Sequence, residues 1–143
     1  MDRPKSSAFS TAIDSSKPIP DPTLTPGDLC TDDNSDFDEY RYKEQVAHCA
    51  RHFTDADKRA VGKPYGVEPS QFSRYEFDHL IPLGVGGSNS HRNVWPMIKE
   101  EARRKAKLDQ ELYLAMSRGE ITQREAIRRM RAYFETYLSN AVQ

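Results

Sequence analysis

Three glycines in four positions, Gly84, Gly86 and Gly87, separate two apolar stretches, "YEFDHL" at 75–80 and "NVWP" at 93–96. Glycine adopts backbone conformations that side chains resist, and a glycine cluster followed by Ser and Asn marks a chain reversal. In the stretch before it, Tyr75, Phe77 and Leu80 carry the apolar signal of a strand, with Glu76 on the face opposite Phe77. The expected order is strand, glycine turn, short strand. Asp78 and His79 then sit at the end of the first strand, beside the turn.

After "NVWP" the period changes. Ala102, Ala106, Leu108, Leu112, Ala115 and Met116 recur at three- and four-residue steps, which predicts a helix from about Ile98 to Arg118 stopped by Gly119. A second helix begins at Thr122, whose hydroxyl can cap with Glu125, and its apolar face runs through Ala126, Met130, Tyr133, Phe134 and Tyr137. Upstream, "YRYKEQVAHCARHF" at 40–53 reads as one extended segment. A short helix follows, capped by Thr54 and Asp57 and ended by Pro64 and Gly66. Residues 1–28 are rich in Ser, Pro, Thr and Asp and bury too little to offset their ordering entropy, which predicts a flexible N-terminal arm. The domain proper is 29–143, a small α+β unit with supporting C-terminal helices and no internal repeat.

A length of 143 residues leaves room for one small domain plus a tail and excludes a second catalytic domain. With 36% hydrophobic and 30% charged residues the composition is that of a soluble globular chain, and no apolar run nears the roughly 18 residues a membrane helix needs. The formal charge of -1 conceals an uneven distribution: acids crowd 32–40, bases crowd 103–107 and 128–131. A polyanionic partner would use the C-terminal half. Cys30 and Cys49 are the only two cysteines. Such a pair in a thin-cored domain reads as the single disulfide of an exported protein, secreted or periplasmic; two reduced thiols of a cytosolic protein satisfy the same spacing. No charged and then apolar leader opens the chain.

A carboxylate beside an imidazole can divide labour. Asp78 can hold a divalent cation through oxygen while His79, neutral at pH 7, removes a proton from water. Metal and base meeting at one phosphate suit phosphodiester hydrolysis. Asn93 can tie the glycine turn onto itself. The bland readings of the neighbours are packed core for Trp95 and solvated side chains for His48, His52 and His91.

The stretch "DHLIPLGVGGSNSHRNVWP" resembles the core of the HNH endonuclease family, of the ββα-metal type, and the flanks make the likeness run from about Pro22 to Met130, closest to small, often exported members. The resemblance implies a ββα-metal (HNH) finger and a metal-dependent endonuclease of low sequence specificity, with DNA favoured over RNA as partner. It implies His79 as general base, Asp78 as metal ligand, Asn93 as the amide that stabilises the hairpin, and Arg51 as support for the scissile phosphate. Mg2+ is the first choice of ion, with Mn2+, Ca2+, Ni2+ or Zn2+ as alternatives. The family's further helix ligand falls here at Ala102, so Glu101, or Glu100 one residue away, is the expected replacement. Arg103 and Lys107 share a helix face and are the expected phosphate contacts. The alternatives are an inactive nucleic-acid- or protein-binding domain of this fold, or a toxin-like effector with a neutralising partner. A monomer is expected.

Overall fold

The computed structural model describes residues 19–141, with side chains through residue 136. Two small antiparallel sheets are joined and covered by helices: β1 (Phe37–Arg41), β2 (Val46–Cys49), α1 (Asp55–Gly62), β3 (Tyr75–His79), β4 (Val94–Ile98), α2 (Lys99–Ser117) and α3 (Gln123–Ala141). β1 pairs with β2, and β3 with β4. The class is α+β.

β3 and β4 pair in the register Tyr75↔Ile98, Phe77↔Pro96, Asp78↔Trp95 and His79↔Val94. Val94, Trp95 and Met97 are completely buried, so β4 is covered on both faces. Pro96 lacks an N–H and is tolerated because a two-stranded ribbon has only edges. The glycine turn opens with a 3-10 turn, Leu83–Val85. Gly86 lies at φ +105, and a Cβ on Gly87 would stand 1.8 Å from the Ile81 carbonyl oxygen, so neither position accepts a side chain without rebuilding the loop.

The helix signals act as their residue types dictate. Thr54 and Asp57 form a reciprocal capping box, Asp57 N donating to Thr54 Oγ1 and Thr54 N to Asp57 Oδ2. α2 ends in a Schellman motif: Gly119, at φ +71, donates to Met116 O while Glu120 N reaches Ala115 O. Thr122 Oγ1 accepts from Glu125 N, but the Glu125 carboxylate turns to Arg128 and Arg129 and leaves the box half made.

Two expectations need correction. The stretch 40–53 is not one extended segment but part of a hairpin that reverses between β1 and β2. The reversal uses Tyr42 at φ 66 and Gln45 at φ 63, with no glycine or proline to announce it. Tyr42 is held there by its hydroxyl, which donates to Gly84 O, and by edge-on packing against Tyr113. The second correction is on α2, where Ala106 is exposed and Lys105 is wholly buried in line with Leu112 and Met116. Steps of seven and four residues place those three on one face.

Of the expected arm, residues 1–18 lie outside the described residues. The remainder packs on the domain: Pro20 and Thr25 are buried, Tyr65 Oη accepts from Asp21 N and pairs with Thr25 Oγ1, and Leu29 bridges to Gly87. Cys30 and Cys49 form a disulfide. It fastens β2 to the strand-like segment beside the glycine turn, where Cys30 N donates to Gly86 O. Disulfides persist in oxidising surroundings, which agrees with an extracytoplasmic location. Among the described residues no helix is long and apolar enough to cross a membrane.

Candidate active site around His79

Successive side chains of a strand point to opposite faces, and the end of β3 obeys this. Asp78 faces α2, where Lys105 Nζ lies 3.0 Å from its Oδ2. His79 faces the glycine loop and the segment after β2, where its Nε2 is 2.9 Å from Asn89 Oδ1 and its ring meets Phe53 edge-on at 6.4 Å. The two neighbours in sequence therefore serve different surroundings.

Asn89 determines which nitrogen of His79 carries the proton. Its Oδ1 accepts from the backbone N–H of His52, and its Nδ2 donates to the Ala50 carbonyl and to Asp36 Oδ2. A backbone N–H can only donate and a carbonyl can only accept, so the amide orientation is unambiguous. The group facing His79 is an acceptor, His79 Nε2 is the donor, and the lone pair of the neutral ring is on Nδ1. Nδ1 makes no hydrogen bond among the described residues. Burial holds the His79 pKa below the ordinary 6.5; the Asn89 bond and Asp78 oppose this, while Arg51 and Lys105 add to it. A neutral imidazole with a directed lone pair is a competent general base near neutral pH.

Arg51 is exposed and close enough for its charge to act on His79. With Lys58, Glu76, Phe53 and Phe77 it lines a cleft of about 240 Å³, and Phe53 is the wall of that cleft that meets the His79 ring. Asn93 is fully buried and fully occupied: Oδ1 accepts from Ile81 N and Asp28 N, and Nδ2 donates to Ile81 O and Ser88 O. It clamps the glycine loop and has no valence left for a substrate.

Lys105 is completely buried and carries its charge into a cluster of oxygens. Its Nζ donates to His79 O at 3.0 Å and to Asp109 Oδ1 and Oδ2 at 3.0 and 3.1 Å. The contact to Asp78 Oδ2 is an ion pair off the line of a hydrogen bond, so that buried oxygen accepts none. Burial works against the ammonium, but Asp78 and Asp109 outweigh it and raise its pKa above the ordinary value. Burial also lifts Asp109, to about 6, against the pull of Lys105.

The remaining expected residues lie elsewhere. Glu101 pairs with Arg104 at 2.6 Å and Glu100 is exposed. Arg103 and Lys107 are exposed, and each is two residues from Lys105, about 200° around the helix, so they face away from Asp78 and His79. Among the described residues, no group of three His, Cys, Asp or Glu donors gathers at Asp78; the one such group is Asp38, Glu39 and His48 on the hairpin. With an ammonium against its carboxylate, Asp78 does not fit a divalent ion as arranged. His91 pairs with Asp57 and His48 with Asp38, and Trp95 is core. No protein-family model, curated protein or solved structure matches the chain.

Proposed function

We propose that the chain is an endonuclease that hydrolyses phosphodiester bonds in nucleic acid, DNA in the first instance, with low sequence specificity. The observation that carries this reading is the setting of His79, whose burial favours the neutral ring and whose contact to Asn89 puts the lone pair on Nδ1. The likeness of "DHLIPLGVGGSNSHRNVWP" to the HNH endonuclease core supports it independently, as does the succession of β3, glycine loop, β4 and α2. The finer assignment, a ββα-metal finger, rests on that likeness.

His79 Nδ1 takes a proton from water as its oxygen bonds to phosphorus, the bond from phosphorus to the 3′ oxygen breaks, and the departing 3′ oxygen takes a proton from solvent. Arg51 meets a non-bridging oxygen of the phosphate, where negative charge accumulates. Lys58 adds a second cation to the cleft, opposite in charge to Glu76 in the same lining. Asn93 keeps the loop and strand in register without touching substrate. The family likeness also implies a divalent ion, but the donors at Asp78 do not fit one, and no step here passes through it. The disulfide supports a secreted or periplasmic setting for this activity.

A second reading, a binding domain of the same fold without turnover, is favoured by the engagement of Asp78 with Lys105. Incubation of plasmid with the disulfide-intact protein and its His79→Ala variant separates the two. Loss of nicking by about 10²–10⁴ in the variant supports the nuclease. Equal activity of the two, or none in either with added Mg2+ or without, rejects it.

A further inference from the structure

We propose that Lys105 is a built-in cation of this fold, its ammonium standing among the oxygens of Asp78, Asp109 and His79 in the place a divalent metal ion would take. Four oxygens surround Nζ at 3.0 to 3.1 Å: Asp78 Oδ2, both carboxylate oxygens of Asp109 and the His79 carbonyl. Two carboxylates and a carbonyl are the donors that hard divalent ions select, at 2.0–2.6 Å. The site is built rather than incidental, because Lys105 is completely buried and its stem occupies the apolar stripe of α2 between β3 and α3.

The charges explain why one cation excludes the other. Three donor groups with two negative charges accept either an ammonium or a divalent ion, and the two repel at contact distance in a site with little water to screen them. The ammonium is tethered to α2, so it competes as an intramolecular group at high effective concentration, whereas a dissolved ion must displace it. It also differs in what it joins. One hydrogen bond from Nζ goes to the backbone oxygen of His79, so Lys105 positions the residue that carries the proposed base while it neutralises Asp78. The inference concerns ion binding and does not depend on turnover.

The test is direct titration of the disulfide-intact protein with Mn2+, read by the loss of free-ion electron paramagnetic resonance signal and by thermal melting, without nucleic acid. The wild type is expected to show no Mn2+ binding that Asp78→Asn abolishes, and no change of melting temperature with Mn2+ or chelator beyond what Asp78→Asn also shows. The Asp78→Asn control separates this site from the Asp38, Glu39 and His48 trio, which persists in both proteins. Lys105→Ala removes the ammonium and is expected to gain a bound Mn2+ that raises its melting temperature, a gain absent from Lys105→Ala/Asp78→Asn. If Lys105→Ala folds only when Mn2+ is present, that too supports the exchange of one cation for another. Wild-type binding that depends on Asp78 overturns the proposal, as does a folded Lys105→Ala protein that takes up no ion at Asp78. Should Lys105→Ala fold under neither condition, the wild-type titration decides. A failure of plasmid cleavage would bear on the proposed function and leave these outcomes untouched.

Discussion

His79 Nε2 donates to Asn89 Oδ1 across 2.9 Å, and Asn89 is itself held by Ala50, His52 and Asp36, residues from the far side of the disulfide-bonded hairpin. The orientation of one imidazole is thus set by a chain of contacts that begins at Cys49, one residue before Ala50.

Replacing Asn89 with Ala is expected to leave His79 in place but free to adopt either tautomer. Cleavage should fall by part of the roughly 10²–10⁴ that a general base contributes, without a comparable change in KM. Single-turnover plasmid nicking measures the step, and an Asn89→Ala enzyme with unchanged kcat removes the orienting role.

The pH dependence follows from the lowered pKa of His79. A base that must be neutral is active above its pKa, so the acid limb of the rate profile should lie below the ordinary 6.5. Arg51→Ala removes a positive charge that favours the neutral ring, and should move that limb upward. The stability contribution has the same direction. A histidine whose folded pKa is depressed contributes stability that is present above 6.5 and lost as pH falls through the folded value. An acid limb above 6.5, or one that Arg51→Ala leaves in place, contradicts the assignment of His79.

Reduction of the Cys30–Cys49 bond should act on stability and on the site together. It opens a loop of sequence separation 19, which corresponds to roughly 3 kcal/mol of lost stability by chain entropy. The segment that grips Asn89 starts immediately after Cys49, so the reduced protein, assayed under conditions where it remains folded, should also cleave more slowly. Urea unfolding with and without reductant measures the first effect. Full activity of a folded, reduced protein would show that Asn89 is held without the bridge.

Much of this arrangement is readable in one dimension because it is local. The glycine turn, the Thr54 and Asp57 cap, the Gly119 stop and the place of Asp78 and His79 at a strand end each follow from residues a few positions apart. The hairpin reversal escapes because Tyr42, at positive φ, is held by a tertiary contact to Gly84, and Gln45, also at positive φ, closes the turn on the Tyr42 carbonyl. Asn89 escapes because its partners His52 and Asp36 lie 37 and 53 residues away. Lys105 escapes because a charged residue inside a basic run reads as solvated, and only the carboxylates opposite it reveal a buried cation. Its sequence signal is faint: it stands seven residues before Leu112 on the apolar face and four before Asp109.

Asn93 and Asn89, four residues apart, should separate cleanly when each is truncated. Asn93 is buried and satisfies two donors and two acceptors of the backbone, at Ile81, Asp28 and Ser88. Asn93→Ala leaves those groups without partners in the clamp that shapes the glycine loop, and each buried unsatisfied group costs about 1–3 kcal/mol. Partial access of water at Asp28 reduces the sum, so a loss of about 3–5 kcal/mol is expected, near the whole stability of a small domain. Asn89 is half-buried and its partners lie nearer solvent, so Asn89→Ala should cost about 1 kcal/mol while taking the larger share of kcat. Urea unfolding monitored at Trp95, together with cleavage per folded molecule, places the two variants on separate axes. If Asn93→Ala retains its stability and loses only turnover, Asn93 acts at the substrate, and its role as a purely structural clamp is wrong.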